Sequence, residues 1–291
     1  MKSSTKWVKK MVKTIAYTVL LMSLFLGAAR AELSVEQLSQ LEQEFFTALN
    51  QKPQRIEKAL DALTMAYAMD PTNGRVNLLL GLNHLWVAAE RVEPDPSTLN
   101  HVILSEYFLQ RAQKFTQDDR IPSWLAPLQI TLAKRDKDPD SATRIFNDFV
   151  KAYEKNPDFH SFTFAMMSFD NDRDSDEFKR ARMVLNATND CDKHNPSCQN
   201  LSRWPHNIET FLVLQADYET KAGDIKNAHK ILTEAKRIGE ETQWPYLSVI
   251  EERLASLPQR ANAFVNKDLS DDPKGLFVEQ QANTCQMCHR Q

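Results

Sequence analysis

From Ser34 onward, apolar residues recur at spacings of three and four. Six glycines occur in the chain, and prolines fall between the periodic segments. A period near 3.6 places these apolar positions on one face of a helix, so the pattern predicts helix after helix. No stretch of alternating β-branched residues bounded by hairpin turns is long enough to predict a sheet. Helix starts are marked by Ser34 with Gln37 three residues on, a capping box, and by Asp140 or Ser141 ahead of Ile145, Phe146 and Phe149. Stops are marked at Asp70-Pro71, Glu93-Pro94-Asp95-Pro96, Asp138-Pro139 and Asn156-Pro157. The result is about twelve helices, mostly of about 12 to 20 residues, joined by short turns that make antiparallel neighbours. Tyr67, Trp86, Tyr107, Phe149, Tyr153 and Tyr218 stand at helical spacing and are expected in the core.

Residues 1–31 break the pattern. Lys2, Lys6, Lys9, Lys10 and Lys13 form a basic start, and Thr14 to Ala29 is apolar and uncharged. Ala29-Arg30-Ala31 then fits a small-residue cleavage site, as in a secretory signal peptide. The apolar run is 16 residues long. That is short of the roughly 20 needed to span a bilayer as a helix, so no membrane span is expected after cleavage. Removing six of the 36 basic residues leaves 30 against 39 acidic ones, a formal charge of −9. Nucleic acid is therefore not an expected partner; distributed acidic charge reads as a solvated helical surface, and it would also favour a protein with a basic docking patch.

The four cysteines form two close pairs, Cys191 with Cys198 and Cys285 with Cys288. In an oxidising compartment such spacing favours covalent pairing or cofactor attachment over free thiols. Cys191 and Cys198 enclose a polar turn and are expected to form a local disulfide. Cys285-Gln286-Met287-Cys288-His289 matches the c-type haem attachment sequence at every required position. With this composition, a chance match is expected at roughly one in a thousand. The three residues divide the chemistry between them: the two thiols add to the haem vinyl groups, and the imidazole of His289 coordinates iron. Two intervening residues place the sulfurs one helical turn apart. Three other readings of the cysteines stand beside this one. They are a Cys-x-x-Cys disulfide, a zinc site built from Cys191, Cys198, Cys285 and Cys288, and a motif that never receives haem. Candidates for a second axial ligand are Met65, Met69, Met166, Met167, Met183, His101, His160, His194 and His206.

Three segments resemble tetratricopeptide repeats. In Glu209 to Ala235, small Ala216 lies where two helices approach, Gly223 sits at the turn, and Ile225, Ala228, Leu232 and Ala235 run down the second helix. Ala59, Leu63, Ala66 and Pro71, followed by Leu80-Gly81, give a second copy. Phe149, Ala152 and Pro157 give a third. The resemblance covers about half of the chain beyond the leader and implies an all-α solenoid of helical hairpins, with a concave face able to cradle a peptide or protein. The expected organisation is a signal peptide at 1–31, a helical-repeat domain at 32–260 and a haem-attachment segment at 261–291. Gly275-Leu276-Phe277 to Cys285 is similar to the opening helix of class I cytochromes c, and the placement of the motif is closer to class II. Neither pattern extends beyond the motif, so only the roles of Cys285, Cys288 and His289 carry over.

Together these features lead to a periplasmic or otherwise exported electron-transfer protein with one covalent haem c and a helical body that docks a redox partner. The alternative is a periplasmic tetratricopeptide-like protein-binding scaffold in which the cysteine motif is structural. No hydrolase nucleophile motif, phosphate loop or metalloprotease signature appears, and no arrangement of histidine and arginine identifies a peroxidase.

Overall fold

The computed structural model describes residues 32–51, 56–89, 96–194, 206–265, 273 and 287–288. Eleven helices run through them, with no strand among the described residues: α1 (Val35–Gln51), α2 (Ile56–Met69), α3 (Gly74–Ala89), α4 (Pro96–Phe115), α5 (Pro122–Arg135), α6 (Pro139–Lys155), α7 (Pro157–Ser168), α8 (Asp176–His194), α9 (Ile208–Ala222), α10 (Ile225–Glu241) and α11 (Leu247–Ala263). Each helix packs chiefly on its neighbour in sequence, and α3 with α4 and α9 with α10 are the most intimate pairs. The fold is all-α, built from successive helical hairpins. The leader at 1–31 lies outside the described residues.

Local chemistry accounts for the helix ends. Ser34 and Gln37 form the reciprocal capping box: Ser34 N–H donates to Gln37 Oε1 at 2.9 Å, and Gln37 N–H donates to Ser34 Oγ at 3.1 Å. The start of α6 differs from expectation. Its N-cap is Asp138, whose side chain accepts from Ser141 N–H at 3.0 Å, with Pro139 in the first turn. Asn156 likewise closes α6 and caps α7, again with proline following. Pro139 and Pro157 therefore begin helices as much as they end them. Proline lacks only an N–H that has no intrahelical partner in the first turn, and its fixed φ already suits a helix.

The repeat-like residues occupy close contacts. Gly223 ends α9 in the left-handed region at φ +87, and Ala216, Ala228, Leu232 and Ala235 are buried where α9 and α10 meet. At Gly81 a Cβ would lie 2.7 Å from Leu109 Cγ, so only glycine admits this approach of α3 to α4. Trp86, Phe149, Tyr153 and Tyr218 are core residues as expected. Tyr107 is not, being 46% exposed, and Tyr67 is half-buried. Both pack against Phe108 and beneath the Arg111 guanidinium, which lies 5.5–5.6 Å from their ring centres. Cation–π contact over a partly wet ring replaces full burial there.

Helix α9 is the most enclosed element: every residue from Glu209 to Lys221 is buried. Such a helix would ordinarily be apolar all round. This one carries Glu209, Asp217, Glu219 and Lys221, and each has a partner. Glu209 accepts from Thr242 Oγ1 at 2.6 Å. Asp217 receives Arg253 at 3.2 Å and Arg260 at 3.3 Å. Glu219 receives Arg182 at 2.5 Å and the Asn186 amide at 3.0 Å. Lys221 Nζ donates to the Phe169 carbonyl at 3.0 Å and lies among the Phe169, Phe178 and Phe264 rings. Burial pushes the Glu219 carboxyl up, but hydrogen bonds from Arg182 and Asn186 outweigh it and leave the group below its ordinary value.

Removing one partner of a buried ion pair strands the other charge, so Asp217→Ala is expected to cost about 3 kcal/mol, read as a lower urea midpoint. At the α3–α4 contact, His84 and His101 hold their Nδ1 atoms 2.8 Å apart. Burial, and then the charge of His101, lowers His84 from its ordinary 6.5 to about 4. As pH falls from neutral toward 4, the unfolded chain takes up a proton at His84 that the folded chain resists. The stability due to a neutral His84, at most about 2 kcal/mol after solvent screening, is then lost. Urea titrations at neutral and acid pH should show this slope, and His84→Gln should flatten it.

Candidate functional site

The described part of the Cys-x-x-Cys-His segment is helical at Met287 and Cys288 and sits on the N-terminus of α9. The start of a helix offers N–H groups without intrahelical partners, and Asn207 caps it with its side chain accepting from Thr210 N–H at 2.9 Å. The same residue also holds the tail. Its main-chain N–H donates to the Cys288 carbonyl at 2.7 Å, and its side-chain amide donates to the Met287 carbonyl. That second carbonyl also accepts from Thr210 Oγ1 at 2.9 Å and from the Trp244 indole N–H at 3.3 Å. The donors come from the cap of α9, its first turn and the turn between α10 and α11.

This seat is apolar and aromatic. Met287 is 2% exposed and Cys288 4%. Met287 belongs to the same buried cluster as Phe162, Phe211 and Trp244. Phe162 stacks on the His206 ring with centroids 3.8 Å apart and lies 6.5 Å from Phe211. The bond from Thr242 to Glu209 ties the turn bearing Trp244 to the same end of α9.

Cys285 and His289 lie outside the described residues, as does Cys198. Cys191 falls within α8, but its side chain is not described. The Cys191–Cys198 disulfide and the four-cysteine zinc reading therefore rest on undescribed side chains. Among the described residues, no group of three or more His, Cys, Asp and Glu side chains could hold a metal ion. Of the motif's two cysteines and histidine, Cys288 is the one described, on a helical turn bonded to a seat lined by flat aromatic groups.

The nine candidates for a second axial ligand separate clearly. Met65, Met69 and Met183 are exposed. His101 pairs with His84, and His160 is buried with Nδ1 at 2.5 Å from Ser123 Oγ. Burial holds the His160 ring below its ordinary value, with Asp119 acting in the opposite direction. The side chain of His194 is not described. Met166 and Met167 pack against the cluster that contains Met287, and His206 directly precedes Asn207.

Elsewhere, a cleft of about 760 Å³ opens between α8, α9 and α10 beside Asn186, Asn189, Gln215, Asn227 and Lys230. Its amides are chained: Asn189 donates to Gln215 at 2.7 Å and Gln215 to Asn186 at 2.6 Å. Among the described residues, no helix is long and apolar enough to cross a membrane.

Sequence reasoning did not single out Asn207, Thr210 and Trp244. Asn207 before Ile208 reads only as a helix cap, and its bonds to the tail join residues 80 positions apart, for which no local signal exists. No known family model matches the chain, and no curated protein or solved structure matches it either.

Replacing Asn207 with alanine removes the α9 cap and the side-chain bond to Met287 together. A loss of about 1–2 kcal/mol is expected, read as a lower urea midpoint.

Proposed function

We propose that this chain is an exported c-type cytochrome, carrying one haem joined covalently to Cys285 and Cys288, with His289 as an axial ligand. The observation that carries the reading is the unbroken Cys-x-x-Cys-His sequence behind a secretory leader. The helical setting of Met287 and Cys288, and the aromatic seat they are bonded to, support it. The bound haem would supply a one-electron couple, taken up from a donor protein and passed to an acceptor. The chain's own residues would fix where that couple sits: Asn207, Thr210 and Trp244 hold the main chain of the motif against α9. The remaining hairpins, read as a tetratricopeptide-like solenoid, would orient a redox partner. The acidic balance of the processed chain favours a partner with a basic docking patch.

A second reading is a periplasmic scaffold in which the cysteine motif is structural, and the amide-lined cleft favours it. Its wall along α10 adds Asn227, His229 and Lys230, polar groups that between them can donate to and accept from a peptide backbone. Under this reading Cys285→Ala leaves partner binding unchanged.

The deciding measurement is made on protein matured in a host that exports it and attaches haem c. Its mass should exceed that of the processed polypeptide by one haem, with a haemochrome spectrum of the thioether type, and Cys285→Ala should abolish attachment through both sulfurs. A colourless product of polypeptide mass would overturn the cytochrome reading.

A further inference from the structure

We propose that the N-terminus of α9 is a docking site for Met287 and Cys288 that sequesters the Cys288 sulfur, so that covalent chemistry at this sulfur proceeds only after these two residues undock. Applied to haem addition, this rests on the cytochrome reading above; the sequestration of the thiol does not.

A thioether forms when the S–H bond of cysteine adds across a vinyl double bond of haem. Sulfur bonds to one vinyl carbon, the hydrogen goes to the other, and no oxidant or reductant is consumed. The sulfur must therefore come within bonding distance of a group attached to a large flat ring. At 4% exposure, Cys288 does not present its sulfur to such a reagent. Leaving the seat means breaking main-chain hydrogen bonds. The Cys288 carbonyl is held by Asn207 N–H, and the preceding carbonyl by Asn207, Thr210 and Trp244. Met287, adjacent in sequence, is locked in the core by its own burial. The two residues must leave together, breaking several bonds at once. Each neutral bond shifts such an equilibrium severalfold, so loss of one donor should raise the open fraction about fivefold.

The test uses the full-length chain, haem-free and reduced, with Cys285→Ser so that labelling within the motif reports Cys288 alone. Alkylation by iodoacetamide is followed peptide by peptide in native buffer and in urea. Native Cys288 should react at least tenfold more slowly than in urea. Thr210→Val, which keeps shape and removes the hydroxyl donor, should speed native labelling about fivefold. Trp244→Phe should do likewise. Labelling of the native chain at the urea rate overturns the proposal, as does an unchanged rate in both variants. In the haem-attaching host, with Cys285 restored, Thr210→Val should acquire haem at least as fast as the parent chain. If labelling is gated but no chain ever acquires haem, the docking site stands and the cytochrome reading falls. If haem attaches while native Cys288 labels freely, the reverse holds.

Discussion

The structure depends on burying a charged helix completely. Helix α9 is covered from Glu209 to Lys221, and an ionised group taken out of water is tolerable only where a partner and hydrogen bonds replace the lost hydration. That requirement fixes the neighbours of α9. Arg182 and Asn186 must come from α8, Arg253 and Arg260 from α11, and the Phe169 carbonyl from the residue that follows α7. Apolar packing alone would tolerate sliding between these helices. A carboxylate that finds its guanidinium in one register does not. The pairs therefore specify the arrangement more than they add to its stability.

The same enclosure explains the tail's seat. The sides of α9 are covered by other helices, which leaves its N-terminal end, where donors without intrahelical partners collect. A short segment offering two consecutive carbonyls meets that need, and Met287 completes the apolar lining beside Phe211 and Trp244. The chemistry assigned to the motif is thus attached to the most enclosed part of the molecule. A redox group needs a defined distance to its partner, and an anchor on α9 would supply that more surely than an anchor on a loop.

Much of the fold was legible in the sequence because it rests on local rules. The 3.6-residue period, the Ser34–Gln37 box and small Ala216, Ala228 and Gly223 each report their own surroundings. Where reading failed, two uses of one residue competed. Asp138-Pro139 looks like a stop but is equally a cap followed by a first-turn proline. Tyr107 has core spacing but lies half in water under Arg111. The chemistry proposed for the candidate site rests on the types and spacing of Cys285, Cys288 and His289, of which the structure describes Cys288. The support of that site was not legible: Thr210 and Trp244 meet Met287 across 77 and 43 positions, and nothing in their own neighbourhoods announces the meeting.

Those long separations also bear on the order of folding. The α3–α4 and α9–α10 hairpins can form from nearby residues as soon as each pair of helices is available. Closing the cluster around Phe211 must wait for Met287, which arrives only after a large loop has been drawn together, an entropic cost that local hairpins avoid. The last surface to become dry during assembly is thus the one beside the Cys288 sulfur, which stays within reach of solvent until compaction is complete.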